Sequence, residues 1–563
     1  MPHESPAARP CPLARRRPHL RRPRPGLRVR RHPGTVDVRS DGSRAHRPRE
    51  HRPGGGGQGR PLLRAVLGLL TAAVVALPFT AAWQYDTLRH AVAEQTAPPD
   101  SGDGGAGADA KAAPAGSAPV VLAYHDIGPD DRGRYTVSLE RFDAQLRALR
   151  DAGYRTLSTR EFTDFLRDGR TPGPRTVHLT FDDGAHGLWT HADPVLARYG
   201  MKAAAYLITG RVGTHRPYYL SWAEVGQMAR SGRWDFQAHT HLSHERAAVD
   251  AAGHERSVFT NRRWLADEGR VETSDEYRRR IAADLDRSVH DLVRHDLPRP
   301  RLFAYPFSER LDASNLGARD AEALRSMLRE RFTATLTNSA ARPLPAGPRA
   351  AAAGQVQRLE VTRDTTPAGL LRELARWAPV APRDADRPLS RQADWRTTGD
   401  TGQTGPGVLT GASRPADGTD YASADYRPLA TADWTDYRLR ARVGGLHGTS
   451  NSVGITVRAG SEHPVSLSVG RNTASLSTGG TGGPGGPEGA EARRTCRLDP
   501  AATHRVTVSV TPRQVRVSID GEPCTALRAG RWRAAEGAGG FSLSVRNDGP
   551  ERQWPRFHSL KVG

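Results

Sequence analysis

Between Val120 and Trp377, short apolar runs alternate with amphipathic segments, and this alternation restricts the fold more than any other feature of the chain. VVLAYHDI, YRTLS, RTVHLTF, KAAAYLI, WDFQAHT, RLFAYPF, FTATLTN and QRLEV have the character of buried strands. Between the first two, LERFDAQLRALRDAGY places Leu139, Phe142, Leu146 and Leu149 at helical spacing and stops at Gly153. Further helices are expected over REFTDFLRDG, from Gly184 toward Tyr199, over SWAEVGQMARSG, from Asp275 to about His295, around Asp320 to Arg331, and finally up to Trp377. Strands and helices alternating at this spacing imply βαβ units and a parallel sheet. Seven or eight such strands imply an α/β domain, residues 118–380, built as a closed or nearly closed (β/α) barrel. In that architecture reactive groups collect at the C-terminal ends of the strands.

The flanks differ in kind. Residues 84–117 are rich in Ala, Gly, Asp and Pro and read as a spacer, and residues 381–407 as a second polar linker. From 408 to 563, segments such as DYRLRARV, SVGITVRAG, HRVTVSVT and QVRVSIDG alternate apolar and polar residues between Gly, Pro, Asn and Asp turns. This predicts an all-β antiparallel sandwich, with the glycine run 479–489 as a surface loop.

The net charge of +21 suggests a nucleic-acid binder until its distribution is considered. Much of the excess lies in residues 1–61, an Arg-, Pro- and Gly-rich arm with too few apolar residues to offset chain entropy. A disordered cytoplasmic arm is expected there, able to meet nucleic acid or anionic lipid; the alternative is an over-long start in an Arg-rich coding sequence. No nucleic acid is expected for the folded part, and no obligate protein partner is evident. Residues 62–83, including the uncharged AVLGLLTAAVVALPFTAAW, approach the roughly 20 apolar residues that span a bilayer as a helix. With the basic arm before it, the positive-inside rule leaves the N-terminus in the cytoplasm and exports the rest as a single-pass membrane protein. A secretory signal cleaved near Ala81-Ala82 would export it equally. Of the cysteines, Cys11 falls on the cytoplasmic side, while Cys496 and Cys524 share the sandwich and could pair outside the cell or stay free. No CxxC pair offers a thiolate zinc site.

Two motifs carry chemistry. LTFDDG ends a buried-type strand with Asp182 and Asp183, whose side chains would point to opposite faces of a continuing strand. Gly184 supplies the freedom for a turn that lets both serve one site. QAHTHLSHE follows another strand with His239, His241 and His244. Two imidazoles and one carboxylate make the three-ligand set of a hydrolytic zinc site, with positions left for water and substrate. His254, His290 and His295 lie on polar surfaces and receive no role.

LTFDDG, AHTHLSH and FAYPFSE, in that order within one α/β region, resemble the polysaccharide deacetylase family, carbohydrate esterase family 4, over roughly Ala118 to Pro379. The resemblance implies a distorted (β/α) barrel, a divalent metal ion, Zn2+ by preference, and an N-acetylated polysaccharide as substrate. It makes Asp182 the catalytic base and Asp183 a metal ligand. The family's second motif usually spaces its histidines by four, but Ser243 stands at that position, so His239 and His244 are assigned as ligands with His241 as the substitute. The wider gap, and Tyr124-His125-Asp126-Ile127, are similar to the poly-N-acetylglucosamine deacetylase branch. His125, Asp126, Tyr305 and Pro306 are expected against substrate. An Arg that often orients the catalytic Asp is missing from Ala304-Tyr305-Pro306-Phe307, and the late proton-donating His has no counterpart near Arg358-Leu359-Glu360-Val361.

The resemblance thus implies removal of N-acetyl groups from an N-acetylglucosamine polymer, exopolysaccharide or peptidoglycan. The alternatives are a surface glycan-binding protein that has lost turnover, or an O-acetyl esterase of glycans. Through Tyr437 to Val443, Ile519-Asp520-Gly521 and Phe557 to Val562, the sandwich is similar to concanavalin-like jelly rolls, for which carbohydrate binding is an analogy of fold. Trp434, Tyr437, Trp532 and Trp554 could stack on sugar rings or pack in the core.

Overall fold

The computed structural model describes residues 118–563 except 129–132, 171, 310, 312–313, 341–342, 386, 398–405, 414–419, 448–450, 462, 479–492, 529–536 and 549–552. The basic arm (1–61), the apolar segment 62–83, the spacer 84–117, the glycine run and Trp532 lie outside the described residues. Among the described residues, no helix is long and apolar enough to cross a membrane.

The α/β region contains strands β1 (Val120–Tyr124), β2 (Arg155–Thr156), β3 (Thr176–Phe181), β4 (Ala203–Leu207), β5 (Trp234–Ala238), β6 (Leu302–Ala304), β7 (Ala334–Thr337) and β8 (Val356–Glu360). Seven of them close a ring in the order β1-β8-β7-β6-β5-β4-β3, with β3 pairing back onto β1 and β2 lying beside the start of β3. Every ladder of the ring is parallel, so the alternation of strand and helix has produced the expected barrel. Its thinnest seam is between β5 and β6, which share only the pair Ala238–Phe303.

All six residues of β3 are buried because both its faces are covered. Phe181 packs outward against the rings of Tyr124 and Phe142, while the Thr180 hydroxyl donates to the Leu122 carbonyl. Helix α1 (Leu139–Asp151) starts at Ser138, whose side chain accepts from the Arg141 N–H. It buries Phe142, Leu146 and Leu149 as expected, but Leu139 is 38 % exposed. Gln145 takes an inward position instead, accepting from the Tyr124 hydroxyl and donating to the Thr365 carbonyl, so its amide is satisfied in the core. Helix α2 (Thr159–Asp168) opens with a capping box between Ser158 and Glu161. Its Phe162, Phe165 and Leu166 join Val121, Tyr206 and Leu336 in one cluster. The other α-helices of the barrel region are α3 (Asp193–Tyr199), α4 (Trp222–Arg230), α5 (Ser274–Arg294), α6 (Ala318–Arg331), α7 (Pro348–Ala352) and α8 (Pro367–Trp377).

The C-terminal region is made of β9 (Trp395–Thr397), β10 (Tyr421–Tyr426), β11 (Tyr437–Gly444), β12 (Asn451–Ala459), β13 (Val465–Val469), β14 (Thr473–Thr478), β15 (Arg493–Arg497), β16 (Thr503–Thr511), β17 (Gln514–Ile519), β18 (Glu522–Arg528), β19 (Gly540–Asn547) and β20 (Arg556–Val562). They form two antiparallel sheets, β9-β10-β19-β12-β13-β14-β15 and β18-β17-β16-β11-β20. Alternate residues, among them Leu439, Ile455, Val508 and Phe541, fill one core between the sheets. A disulfide between Cys496 and Cys524 ties β15 of one sheet to β18 of the other. Residues 381–407 do not behave as a linker where they are described. Trp395 and Ala385 lie in the sandwich core, and β9 pairs antiparallel with β10. Trp434 and Tyr437 are buried there too, each with its polar atom bonded to backbone carbonyls, so neither offers a ring to a sugar. The Arg427 guanidinium donates to the carbonyls of Ala375 and Arg376 at the end of α8.

Candidate active site

His125 follows β1, Asp182 and Asp183 follow β3, His239 follows β5, Tyr305 follows β6, Asn338 follows β7, and Glu360 ends β8. With Tyr135, His244, Phe307 and Ser308 they border one open cleft of about 550 Å3 at the C-terminal mouth of the barrel. Two consecutive left-handed residues bring the paired carboxylates together, Asp183 at φ 71° and Gly184 at φ 82°. A Cβ on Gly184 would stand 2.7 Å from the Leu207 side chain, so the turn tolerates only glycine.

Asp182 is 2 % exposed and receives both Nη atoms of Arg358, each at 2.7 Å. Burial acts to raise its pKa, but the Arg358 guanidinium and His239 outweigh it and hold the carboxyl below its ordinary range. Arg358 is itself fully buried on β8, and its Nε donates to Asn338 Oδ1 at 2.8 Å. The arginine missing from the third motif is therefore supplied by another strand. Sequence reasoning assigned Arg358 no role; the available signal was a lone charge inside a buried-type strand, which needs a buried partner.

Asp183 Oδ1 lies 3.5 Å from Nε2 of both His239 and His244. The candidate ligand atoms of these three residues all fall within 4.8 Å of one another. The His239 Nδ1–H donates to the Ala304 carbonyl at 2.8 Å, which leaves Nε2 as the ring atom on the Asp183 side, where Asp182 and Asp183 raise the pKa despite burial. Burial pushes the pKa of His244 down to about 4, so that its ring is neutral, as a metal ligand must be. Asp183 is held low despite burial, by His244 and His239. Its Oδ1 is buried without a hydrogen-bond partner, a cost that coordination of a cation would remove. Donor types and the orphaned oxygen both fit a divalent metal ion.

The five-residue histidine gap has a structural cause. Thr240 is left-handed at φ 74°, and the Asp284 carboxylate of α5 accepts from the N–H groups of His241, Leu242 and Ser243 at 2.8–2.9 Å. This arch carries His244 back to the cleft, where its ring packs 4.6 Å from His239 and 4.4 Å from Phe307. His241, kept open as a substitute ligand, turns away to Asp291 and Thr209 on the other side. Of the four residues expected against substrate, His125 and Tyr305 border the cleft, and Asp126 and Pro306 do not. Asp126 follows His125 along the chain and so faces the opposite way. Its carboxylate is buried beside Gly187, where an added Cβ would come within 2.1 Å of Oδ1. Pro306 is buried.

Residues 169–324 match the polysaccharide deacetylase family, a span that holds both aspartates and both ligand histidines but not His125 or Arg358. Over 205 residues the chain is 27 % identical to poly-beta-1,6-N-acetyl-D-glucosamine N-deacetylase of Escherichia coli strain K12, covering 34 % of this chain and 30 % of that protein. Over 113 residues it is 33 % identical to the enzyme of that name from Staphylococcus aureus strain MRSA252, covering 20 % of this chain and 39 % of that protein. It thus spans well under half the length of these relatives. Among solved structures, IcaB from Ammonifex degensii is 28 % identical, with 46 % of this chain and 97 % of that chain covered and a TM-score of 0.36. Within the barrel, residues 169–324 are accordingly similar to the polysaccharide deacetylase family.

Proposed function

We propose that the chain is a metal-dependent deacetylase that removes N-acetyl groups from an N-acetylglucosamine-containing polysaccharide outside the cytoplasm. The observation that carries this reading is the juxtaposition of an arginine-locked aspartate, Asp182, with the Asp183–His239–His244 cluster at the barrel mouth. The activity for which the E. coli and S. aureus relatives are named supports the substrate class. The Cys496–Cys524 disulfide supports an oxidising compartment. A single membrane anchor at 62–83, or a signal cleaved from the same stretch, would place it there.

Asp183, His239 and His244 would hold the metal ion, with Zn2+ the best match to two imidazoles and a carboxylate. When bound, such an ion supplies Lewis-acid polarisation to an acetyl carbonyl and to a water. Asp182 is ionised at neutral pH and takes the proton of the attacking water. Arg358 fixes the direction of that carboxylate through its two-pronged contact. The departing amine needs a proton, and His125 is the remaining imidazole bordering the cleft. The Tyr305 N–H is committed to the Leu336 carbonyl and Pro306 has none, so an oxyanion contact from the third motif falls to Phe307 or beyond.

Acetate release from N-acetylglucosamine oligomers by zinc-loaded full-length chain tests the reading, with an O-acetylated glycan measured in parallel. Faster turnover of the ester would make the protein an esterase. Glycan binding without acetate release, unchanged in Asp182→Asn, would leave it a binding protein.

A further inference from the structure

We infer that the outer face of the five-stranded sheet is a docking surface for a polyanionic glycopolymer, one bearing carboxylate or phosphate groups along a flexible chain. The inference does not depend on the chemistry of the barrel cleft. Arg438, Arg440 and Arg442 alternate with buried Leu439 and Ala441 on β11 and are all exposed. Cross-strand register continues the pattern, with Arg505 of β16 opposite Arg442 and Lys561 of β20 opposite Arg440. Arg516 of β17 stands opposite Ser509, which itself stands opposite Arg438. Among the described residues none of these six side chains forms an ion pair. Glu522, at the hairpin end of β18, is the one carboxylate within the five strands. Asp520 in that hairpin is taken up by His504 Nδ1 at 2.6 Å and the Arg505 N–H at 2.7 Å.

Two of these juxtapositions, Arg442–Arg505 and Arg440–Lys561, put like charges directly opposite each other, an arrangement that costs the sheet stability. An anionic partner removes that cost on binding. The other sheet carries exposed Arg546 on β19 and arginines on the edge strand β15, but the outward positions of β12 and β13 are Ser452, Gly454, Thr456, Ser466 and Ser468, so the fold does not require a cation on each strand.

The kind of partner follows from what accompanies the charge. Between the arginines stand Thr507, Ser509 and Ser518, hydroxyl donors and acceptors suited to a hydroxylated chain. No Trp, Tyr or Phe points outward from the five strands, so the face lacks the stacking platforms that bind unpaired bases. Five strands span about 19 Å and twist by roughly 20–25° per pair, so a planar membrane could touch only part of the basic surface. A flexible polyanion can follow the whole twist, and guanidinium groups pair with either carboxylate or phosphate. The neutral or aminated glycan handled in the cleft would gain nothing from this face.

Binding of the full-length chain to polygalacturonate, as the carboxylate probe, and to poly(glycerol phosphate), as the phosphate probe, tests this across a NaCl series by calorimetry. Either polymer should bind and weaken steadily with salt, and the stronger one identifies the anion. Arg438→Ser, Arg440→Ser and Arg442→Ser combined should weaken binding at least about tenfold, reflecting three lost ionic contacts. Acetate release from a short N-acetylglucosamine oligomer should stay at the parent value and the melting temperature should not fall, because these residues lie outside the cleft and their removal relieves two like-charge pairs. Arg440→Ser alone should fall between parent and triple variant. Binding of the triple variant within twofold of the parent, or tighter binding of duplex DNA or phosphatidylglycerol vesicles than of either polymer at the same salt, would overturn the inference.

Discussion

Arg358 and Arg440 both sit in the middle of a β-strand, yet the chain surrounds them in opposite ways. Arg358 is fully buried at the barrel mouth and its guanidinium is consumed by Asp182 and Asn338. Arg440 is exposed on the sandwich, with Lys561 across from it on the next strand. A buried charge has no water to fall back on, so its worth lies in one partner held at one geometry. An exposed charge is screened, and its worth is small and shared with its neighbours. The barrel mouth should therefore be intolerant at single positions, and the sandwich face should respond only to several changes at once.

The sharpest test of the first half is Asp182→Asn, which keeps the shape and removes the base. Acetate release should fall by about 10⁴-fold, the upper end for loss of a positioned general base, while zinc content stays near one per chain. Comparable loss of zinc would mean that Asp182 is a ligand and that base and ligand roles have been divided wrongly.

Arg358→Ala should follow, destabilising the protein by about 3–5 kcal/mol because Asp182 is left buried and unpaired. Denaturant unfolding measures this. The pH dependence has a definite sign. Arg358 holds the Asp182 pKa down against the effect of burial, so removing it raises that pKa. The base is then protonated at higher pH, and the acid limb of the pH–rate profile moves upward. An unmoved limb would show that Asp182 is not the group titrating in turnover.

A smaller effect is expected one shell out. Asp284 touches no ligand atom but anchors the arch that brings in His244, so Asp284→Ala should weaken zinc binding by roughly 10–100-fold. His241→Ala should change it far less, since His241 faces Asp291. If His241→Ala proves the more damaging, the arch rearranges when metal binds.

What could be read in advance follows the same division. Periodic information was legible: strand–helix alternation for the barrel, strict two-residue alternation for the sandwich, and strand-end placement for Asp182, Asp183 and His239. Non-local pairing was not. Nothing adjacent to Arg358 reveals that its partner lies 176 residues earlier, because the contact exists only when β8 closes the ring toward β3. The assignment of His244 over His241 came from the family resemblance, since the arch behind it depends on a left-handed Thr240 and on Asp284 from a distant helix. Gln145 replaced Leu139 in the α1 core because two partners outside its own helix satisfy its amide, something helical periodicity cannot register. Residues 381–407 were misjudged for a related reason: a polar composition hid Trp395, which the sandwich core needs.

The smallest expected effect has the opposite sign, which makes it the most discriminating. Arg440 and Lys561 are directly opposed like charges, so Arg440→Ser should leave stability unchanged or raise it, by no more than about 1 kcal/mol. Repulsion between exposed charges is screened over a Debye length of about 10 Å at 0.1 M salt, so any gain should shrink as NaCl increases. Melting curves of parent and variant at low and high salt read both quantities. Arg358→Ala should show no such convergence, since the guanidinium and its partner are both buried and little screened. A loss of stability in Arg440→Ser that persists at high salt would mean that this side chain packs in place, and the contrast between buried and exposed arginines would then rest on geometry alone.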